Sequence, residues 1–229
     1  ASMVPALIAA PLLAGLGAAL FGMFIVRLSG IYLAMLTLAC AQITYAVAFQ
    51  WVEVTGGDNG VVGVWPSAWA SGRITYYYLT LIVVTAAIWA LHHLIHAPMG
   101  YALRAARDSV ARADAIGIHV ERLRLIGFTV AGAAAGLAGA LYAFSKGSID
   151  PTVLSIPQSV DFLVMMLMGG IQTVAGALVG AGAFHTLKDW VMPLTDYWRA
   201  LLGVAIIAIV LVFPHGLAGA WSRWRGGAR

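Results

Sequence analysis

The sequence predicts an all-α membrane protein, a polytopic bundle of about six to seven transmembrane segments. Hydrophobic residues make up 62% of its 229 residues and charged residues only 10%, whereas soluble globular domains carry roughly 25% charged residues. The apolar residues are concentrated in runs that approach the ~20 residues needed to cross a bilayer core. We expect these runs to be helices, because a helix satisfies its own backbone hydrogen bonds in lipid.

Several apolar runs have the length of a single membrane crossing. In chain order they are Val4–Val26, Ile31–Trp51, Ile74–Leu94, Leu125–Phe144 and Tyr197–Phe213. The fourth run is rich in small residues, among them Gly132, Gly136 and Gly139. Small residues let two helix backbones approach closely in lipid, so we expect tight packing of this run on another helix.

The charged residues indicate how these runs cross the membrane. The stretch Pro98–Arg124 holds five of the thirteen basic and three of the nine acidic residues, and Arg223–Arg229 is a second basic cluster. Cytoplasmic flanks of membrane helices attract Arg and Lys, so both clusters and the C-terminus are predicted to be cytoplasmic, and Glu53–Arg73 external. The same rule explains the net charge of +4 without a nucleic-acid partner.

The apolar stretch Val160–Val191 must then begin and end on the external side. As one helix it would be about 48 Å long, which is too short for two full crossings. A break at Gly169-Gly170 resolves this, and it predicts a broken hairpin that is re-entrant or shortened. We take Gly169, Gly170 and Gly176 as candidates for the helix break or for the translocation pathway.

No catalytic constellation is evident. The chain lacks the GxxxxGK[ST] phosphate-binding loop, so it is not predicted to hydrolyse ATP by itself. His92, His93 and His96 have helical spacing, but no further ligand cluster completes a metal site. We therefore predict a non-enzymatic protein with neither a metal site nor a cofactor.

The segment Tyr101–Arg112 has neither glycine nor proline and is predicted to be one helix, which Gly117 ends or bends. Arg104, Arg107 and Arg112 would project over neighbouring turns. On composition alone, a solvated linker that flanks the membrane is the favoured interpretation of these charges.

Four motifs resemble the LivM-type permeases, the membrane subunits of ABC importers for branched-chain amino acids. GYALRAARDSVARADAIGI, from Gly100, is similar to the family's cytoplasmic loop. TGGDNGVVGV at Thr55–Val64 is similar to its glycine-rich external segment. LMGGIQTVAGALVGA at Leu167–Ala181 and LVFPHGLAG at Leu211–Gly219 resemble its paired-glycine region and its closing signature. The chain thus resembles the later part of such a permease, a single permease domain over residues 1–229 with a coupling loop at 98–124.

The resemblance implies a multi-pass subunit of the bacterial inner membrane. It would work with a second, LivH-type permease subunit, two cytoplasmic ATP-binding subunits and a periplasmic substrate-binding protein, in contact with the lipid bilayer. The loop would be a helix that couples to the ATPase through Arg104, Arg107, Asp108, Arg112 and Gly117. The external tract would contact the substrate or the binding protein through Thr55, Gly56, Gly57, Asp58 and Asn59.

Two departures from the family pattern bear on the substrate. Ser109-Val110 stands where the family usually has an acidic or amide pair, and Ala177 stands where a proline is common. A related permease for urea, short amides or a sugar therefore remains an alternative, as does a membrane scaffold subunit that transports nothing. For the external tract the alternative is a plain tight turn, since Gly-Gly and Asn-Gly are turn sequences.

Overall fold

A computed structural model describes residues 3–170, 174–193, 197, 200–201 and 203–204. Within them the α-helices are α1 Met3–Ile25, α2 Ile31–Gln50, α3 Val52–Thr55, α4 Arg73–His96, α5 Pro98–Asp108, α6 Val110–Ala115, α7 Val120–Lys146, α8 Ile156–Gly169 and α9 Val174–Val191. Short 3-10 turns occur at Gly57–Asn59, Ala68–Ala70 and Pro151–Leu154. Two short strands, β1 Val61–Val62 and β2 Ser148–Ile149, pair antiparallel.

The predicted helical membrane bundle is confirmed. In the described part of the chain, α1, α2, α4 and α7 are long and apolar enough to cross a membrane, and α8 with α9 would make a fifth, bent span. The helices extend beyond the predicted apolar runs, since α4 continues to His96 and α7 already begins at Val120. The motif Leu211–Gly219, the tail Arg223–Arg229 and most of the run Tyr197–Phe213 lie outside the described residues.

The chain divides into two compact units, Ala1–Ser155 and Ile156–Arg229. The prediction of one permease domain over the whole chain stays a prediction.

In the first unit, α1 and α7 pack antiparallel along a seam of small residues. A side chain at Gly132 would overlap the methyl group of Ala18, and one at Gly136 would lie 2.5 Å from that of Ala14. The predicted close approach is therefore confirmed for these two glycines. Gly139 has no such neighbour, because nothing lies within 4 Å of the position its side chain would take.

The ends of α1, α4 and α7 are joined around a small apolar cluster. Met3, Ala70 and Phe144 are buried together, and the backbone nitrogen of Met3 donates to Ser67 Oγ at 3.1 Å. The Tyr76 hydroxyl donates to the carbonyl oxygen of Leu141 at 2.6 Å. These bonds bridge segments far apart in sequence and hold the three helices at this end of the unit.

In the second unit, α8 ends at Gly169 as predicted and α9 begins at Val174, with the two helices bent by 116°. At 1.5 Å per residue, α8 is about 21 Å long and α9 about 27 Å, so α8 is shorter than a ~30 Å bilayer core. Met165, Met168 and Phe184 form the buried cluster between them. The predicted break at Gly169-Gly170 is confirmed, whereas the re-entrant or shortened hairpin stays a prediction, because a bent single span has the same geometry.

Candidate functional site

The charged segment, Pro98–Arg124, contains two short helices where the sequence predicted one over Tyr101–Arg112. That prediction is wrong at Ser109, whose backbone is extended (φ −163°, ψ 112°) between α5 and α6. The Ser109 hydroxyl accepts a hydrogen bond from the backbone nitrogen of Arg112 at 3.4 Å. Serine favours this N-cap position because its side chain satisfies an otherwise unpaired amide of the first turn.

One face of the charged segment is anchored to the start of α7. Ala106, Ala113 and Val120 form a buried cluster with Ile118 packed against it. The Leu103 side chain also lies 3.6 Å from where a methyl group on Gly127 would stand. Small apolar contacts therefore fix α5 and α6 against α7, and the solvated-linker interpretation does not fit this packing.

The opposite face carries the predicted arginines, which have different surroundings. Arg104 donates to the carbonyl oxygen of Ile95 at 3.2 Å and lies over the Tyr101 ring at 5.3 Å, so it ties α5 to the end of α4. Arg107 pairs with Asp108 at 3.3 Å, with the two side chains 70% and 64% exposed. Arg112 is exposed. Arg107 and Arg112 are thus the predicted arginines best placed to meet another molecule.

Gly117 ends α6 through a well-defined backbone turn. Its φ is +85°, its nitrogen donates to the carbonyl oxygen of Asp114, and the nitrogen of Ile118 donates to that of Ala113, both at 3.0 Å. This is the Schellman pattern, in which a residue in the left-handed region closes the helix. The prediction that Gly117 ends the helix is confirmed, and its role here is conformational.

Behind the charged segment is an open groove of about 710 Å³. It lies between the α1–α2 connection and the residues from α6 to the start of α7. Its polar and charged lining residues are Arg27, Ser29, Asp114, His119, Glu121, Arg122 and Arg124. The sequence did not predict this groove, because Arg27 is almost a hundred positions away along the chain from Arg122 and Arg124, which line the same groove.

The glycine tract, Thr55–Gly60, is a tight turn that is held by hydrogen bonds of the Thr55 hydroxyl and by glycine backbone conformations. Thr55 Oγ1 lies 2.5 Å from the carbonyl oxygen of Ala48 and 2.8 Å from that of Trp51, and it accepts from the nitrogen of Gly57 at 3.3 Å. A side chain at Gly56 would overlap the carbonyl oxygen of Gly60. Glycine is required there because φ is +74° and no space remains for a Cβ atom.

The tract continues directly into the small sheet. A side chain at Gly60 would overlap the carbonyl oxygen of Ile149 in β2, and Val61 pairs with Ile149. Asp58 and Asn59 stay exposed on the outside of the turn. Of the five residues predicted to contact substrate or binding protein, Thr55, Gly56 and Gly57 shape the turn, while Asp58 and Asn59 are the side chains it presents.

Comparisons with known proteins agree with this architecture. The model of the family described as "Branched-chain amino acid transport system / permease component" matches residues 1–210. The chain belongs to this family. No solved structure matches it.

Three curated relatives illustrate the permease family's range. The chain is 25% identical to the high-affinity branched-chain amino acid permease protein LivM of Escherichia coli over 235 residues, 91% of this chain and 55% of the relative. LivH of the same species is 25% identical over 74% of this chain and 59% of the relative. The autoinducer 2 import permease LsrC of Escherichia coli is 29% identical over 64% of this chain and 44% of the relative. The chain spans about half the length of the curated relatives it matches.

The paired-glycine region brings the backbones of α8 and α9 together. A side chain at Gly169 would overlap the carbonyl oxygen of Gly176, and one at Gly180 would overlap that of Met165. Gly170 follows α8 with φ +105°. Gly169, Gly170 and Gly176 therefore serve the break and the close packing of α8 on α9, whereas a role in lining the pathway stays a prediction.

No cluster of three or more His, Cys, Asp or Glu side chains suited to a metal ion occurs in the part of the chain that the structure describes. His92 and His96 lie close together, with ring centroids 4.2 Å apart, and one ring nitrogen of His96 is 2.8 Å from the carbonyl oxygen of His92. The two histidines therefore contact each other through their rings, and the His96 ring also contacts the helix backbone, near the end of α4.

Proposed function

We propose that the chain is a membrane-spanning permease subunit of an ATP-driven importer for branched-chain amino acids. It would act in the bacterial inner membrane beside a second permease subunit of the LivH type, with two cytoplasmic ATP-binding subunits and a periplasmic substrate-binding protein. The family match over residues 1–210 supports this, and so does the similarity to LivM along 91% of the chain. ATP hydrolysis would occur on the partner subunits.

The observation that carries the coupling role is the two-faced construction of the charged segment. Its alanine face is buried against α7, so α5, α6 and α7 are packed as one unit. Its other face exposes Arg107 and Arg112. A packed element that presents positive charge suits docking on a complementary, negatively charged surface of an ATP-binding subunit.

The proposed orientation follows from the distribution of charge. Arg27, the charged segment and the C-terminus would be cytoplasmic because basic residues favour that side. The glycine tract would be external, since α2 separates it from Arg27 by the length of one crossing. Asp58 and Asn59 would then face the binding protein or the arriving substrate.

The test compares paired charge reversals in the importer reconstituted with its partner subunits. Arg107→Glu with Arg112→Glu should leave membrane insertion intact and should reduce both ligand-stimulated ATP hydrolysis and uptake at least about ten-fold, because like charges across an interface are strongly unfavourable. Arg104 is left unchanged, since its bond to Ile95 would confound docking with helix stability.

Arg73→Glu is the matched control, because Arg73 is an exposed arginine at the start of α4, outside the charged segment. It should retain wild-type stimulation. If the Arg107 and Arg112 variant also keeps wild-type stimulation and uptake, the segment does not couple to the ATPase.

Two alternatives give different results in the same assay. The similarity to LsrC, whose name refers to import of autoinducer 2, supports testing sugar-like solutes, urea and short amides beside leucine, isoleucine and valine. Stimulation by one of these and not by the branched-chain amino acids would reassign the substrate. Absence of uptake with every solute and every partner combination would favour a scaffold.

A further inference from the structure

The groove behind the charged segment is lined by three arginines, which lie where α1 ends and where α7 begins. Arg27 follows α1, whereas Arg122 and Arg124 lie in the first two turns of α7. Asp114 and Glu121 also line the groove. The three guanidinium groups meet two carboxylates, so the arginines give the groove an excess of positive charge.

Within the part of the chain that the structure describes, the three arginines have no protein partner. Among the described residues, the ion pairs include none between these guanidinium groups and the groove's carboxylates, and no hydrogen bond of the three side chains is present. The α7 N-terminus adds to the positive potential, because no side chain caps it. A helix start without a side-chain cap and guanidinium groups without a partner among the described residues together form an environment that favours an anion.

We propose that this groove binds a phosphate group, supplied by the headgroup of an anionic phospholipid. Arginine matches phosphate because its planar fork donates two parallel hydrogen bonds to two phosphate oxygens. A volume of about 710 Å³ is within the range of small-ligand sites, so a headgroup fits inside it.

The surroundings favour a lipid over a free phosphate ion. Val26, Leu28, Val110 and Val120 supply an apolar part of the lining. Two residues after Ser29, α2 begins with Ile31 and Tyr32, each 74% exposed. An acyl chain can lie along this apolar surface while the headgroup stays at the arginines, whereas a free phosphate ion has no use for it.

A headgroup bound in the groove would also contact the charged segment. Asp114 and Val110 belong to α6, and they face the same space as the arginines of α7. A bound headgroup would therefore bridge α6, the start of α7 and the α1–α2 connection. Because lipid binding can be measured without transport, this inference can fail or hold independently of the proposed import function.

The experiment measures lipid binding to the 229-residue chain by native mass spectrometry and by thermal stability in detergent. Phosphatidylglycerol and cardiolipin are titrated in one arm, phosphatidylcholine in a second, and inorganic phosphate or glycerol phosphate in a third. The wild type should bind and be stabilised by the anionic lipids only. A combined Arg27→Gln, Arg122→Gln and Arg124→Gln variant should bind them more weakly by about five-fold per arginine, on the order of 100-fold in all.

Arg73→Gln is the matched control and should keep wild-type affinity. If the triple variant does not fold, Arg122→Gln alone should weaken binding about five-fold, and Arg122→Lys should restore only part of it because lysine lacks the paired donors. Equal affinity of the wild type and the arginine variants would overturn the site. Full stabilisation by inorganic phosphate would overturn the lipid as its source.

Discussion

The α1–α7 seam provides a sharp test of the structure, through the change Gly132→Ala. The added methyl group would overlap the methyl group of Ala18 and would lie 3.2 Å from the carbonyl oxygen of Ala14. Carbon atoms pack at about 3.5–4.0 Å, so the helices would have to separate by about 1 Å at this point. Overpacking of this kind costs typically 1–3 kcal/mol, and the gain in helix propensity of up to about 1 kcal/mol offsets only part of it.

The rescue and the control follow from the same geometry. Ala18→Gly removes the methyl group that Gly132→Ala meets, so the double variant should return to within about 1 kcal/mol of the wild type. Gly139→Ala is the control in the same helix, because nothing lies within 4 Å of the added atom. It should be neutral or stabilising by up to about 1 kcal/mol.

The assay is denaturant-induced unfolding of the detergent-solubilised chain, followed by tryptophan fluorescence. Gly132→Ala should unfold at lower denaturant than the wild type, Gly139→Ala should not, and the double variant should recover most of the difference. If Gly132→Ala is as stable as Gly139→Ala, the close antiparallel packing of α1 on α7 is refuted.

Two further predictions concern the turns that frame the candidate sites. Gly117→Ala should destabilise the end of α6 by about 1–2 kcal/mol, because the left-handed backbone is unfavourable for alanine. Hydrogen exchange in α6 should be faster in this variant, and the increase should be smaller in Gly117→Asn. Unchanged exchange would contradict the prediction. Thr55→Val should loosen the glycine tract by about 1 kcal/mol through loss of its hydroxyl bonds, seen as faster exchange at the Gly57 amide. Thr55→Ser and Asp58→Ala should both keep the Gly57 amide protected from exchange. If Thr55→Val protects this amide as well as they do, the hydroxyl does not hold the turn.

Much of the fold was predictable because lipid imposes simple demands. A run of about 20 apolar residues must be helical in a bilayer, which correctly predicted α1, α2, α4 and α7. The break at Gly169-Gly170 was also predictable, since Val160–Val191 has a length that suits neither one crossing nor two. In both cases a local pattern was sufficient.

The parts that escaped prediction depend on contacts between distant residues. The sequence predicts one continuous helix through Ser109, because neither glycine nor proline interrupts Tyr101–Arg112. The N-cap role of Ser109 becomes visible only in the folded chain. The spacing of Gly132, Gly136 and Gly139 suggested three packing positions, yet the seam with α1 contains only the first two. The groove likewise required α1 and α7 to be brought together before Arg27 could join Arg122.

The position of α7 explains why a variant in the seam bears on both candidate sites. This helix of 27 residues, about 40 Å long, begins at the charged segment and ends beside β2, which pairs with β1 directly after the glycine tract. The buried alanines hold the segment to its start, and the closely packed seam fixes its axis against α1. A shift of α7 would therefore move the attachment points of both regions together.

Gly132→Ala lies in neither region, yet it should speed hydrogen exchange at Ile118 and at Val61 alike, whereas Gly139→Ala should affect neither. A change confined to one end would mean that α7 does not move as a single body.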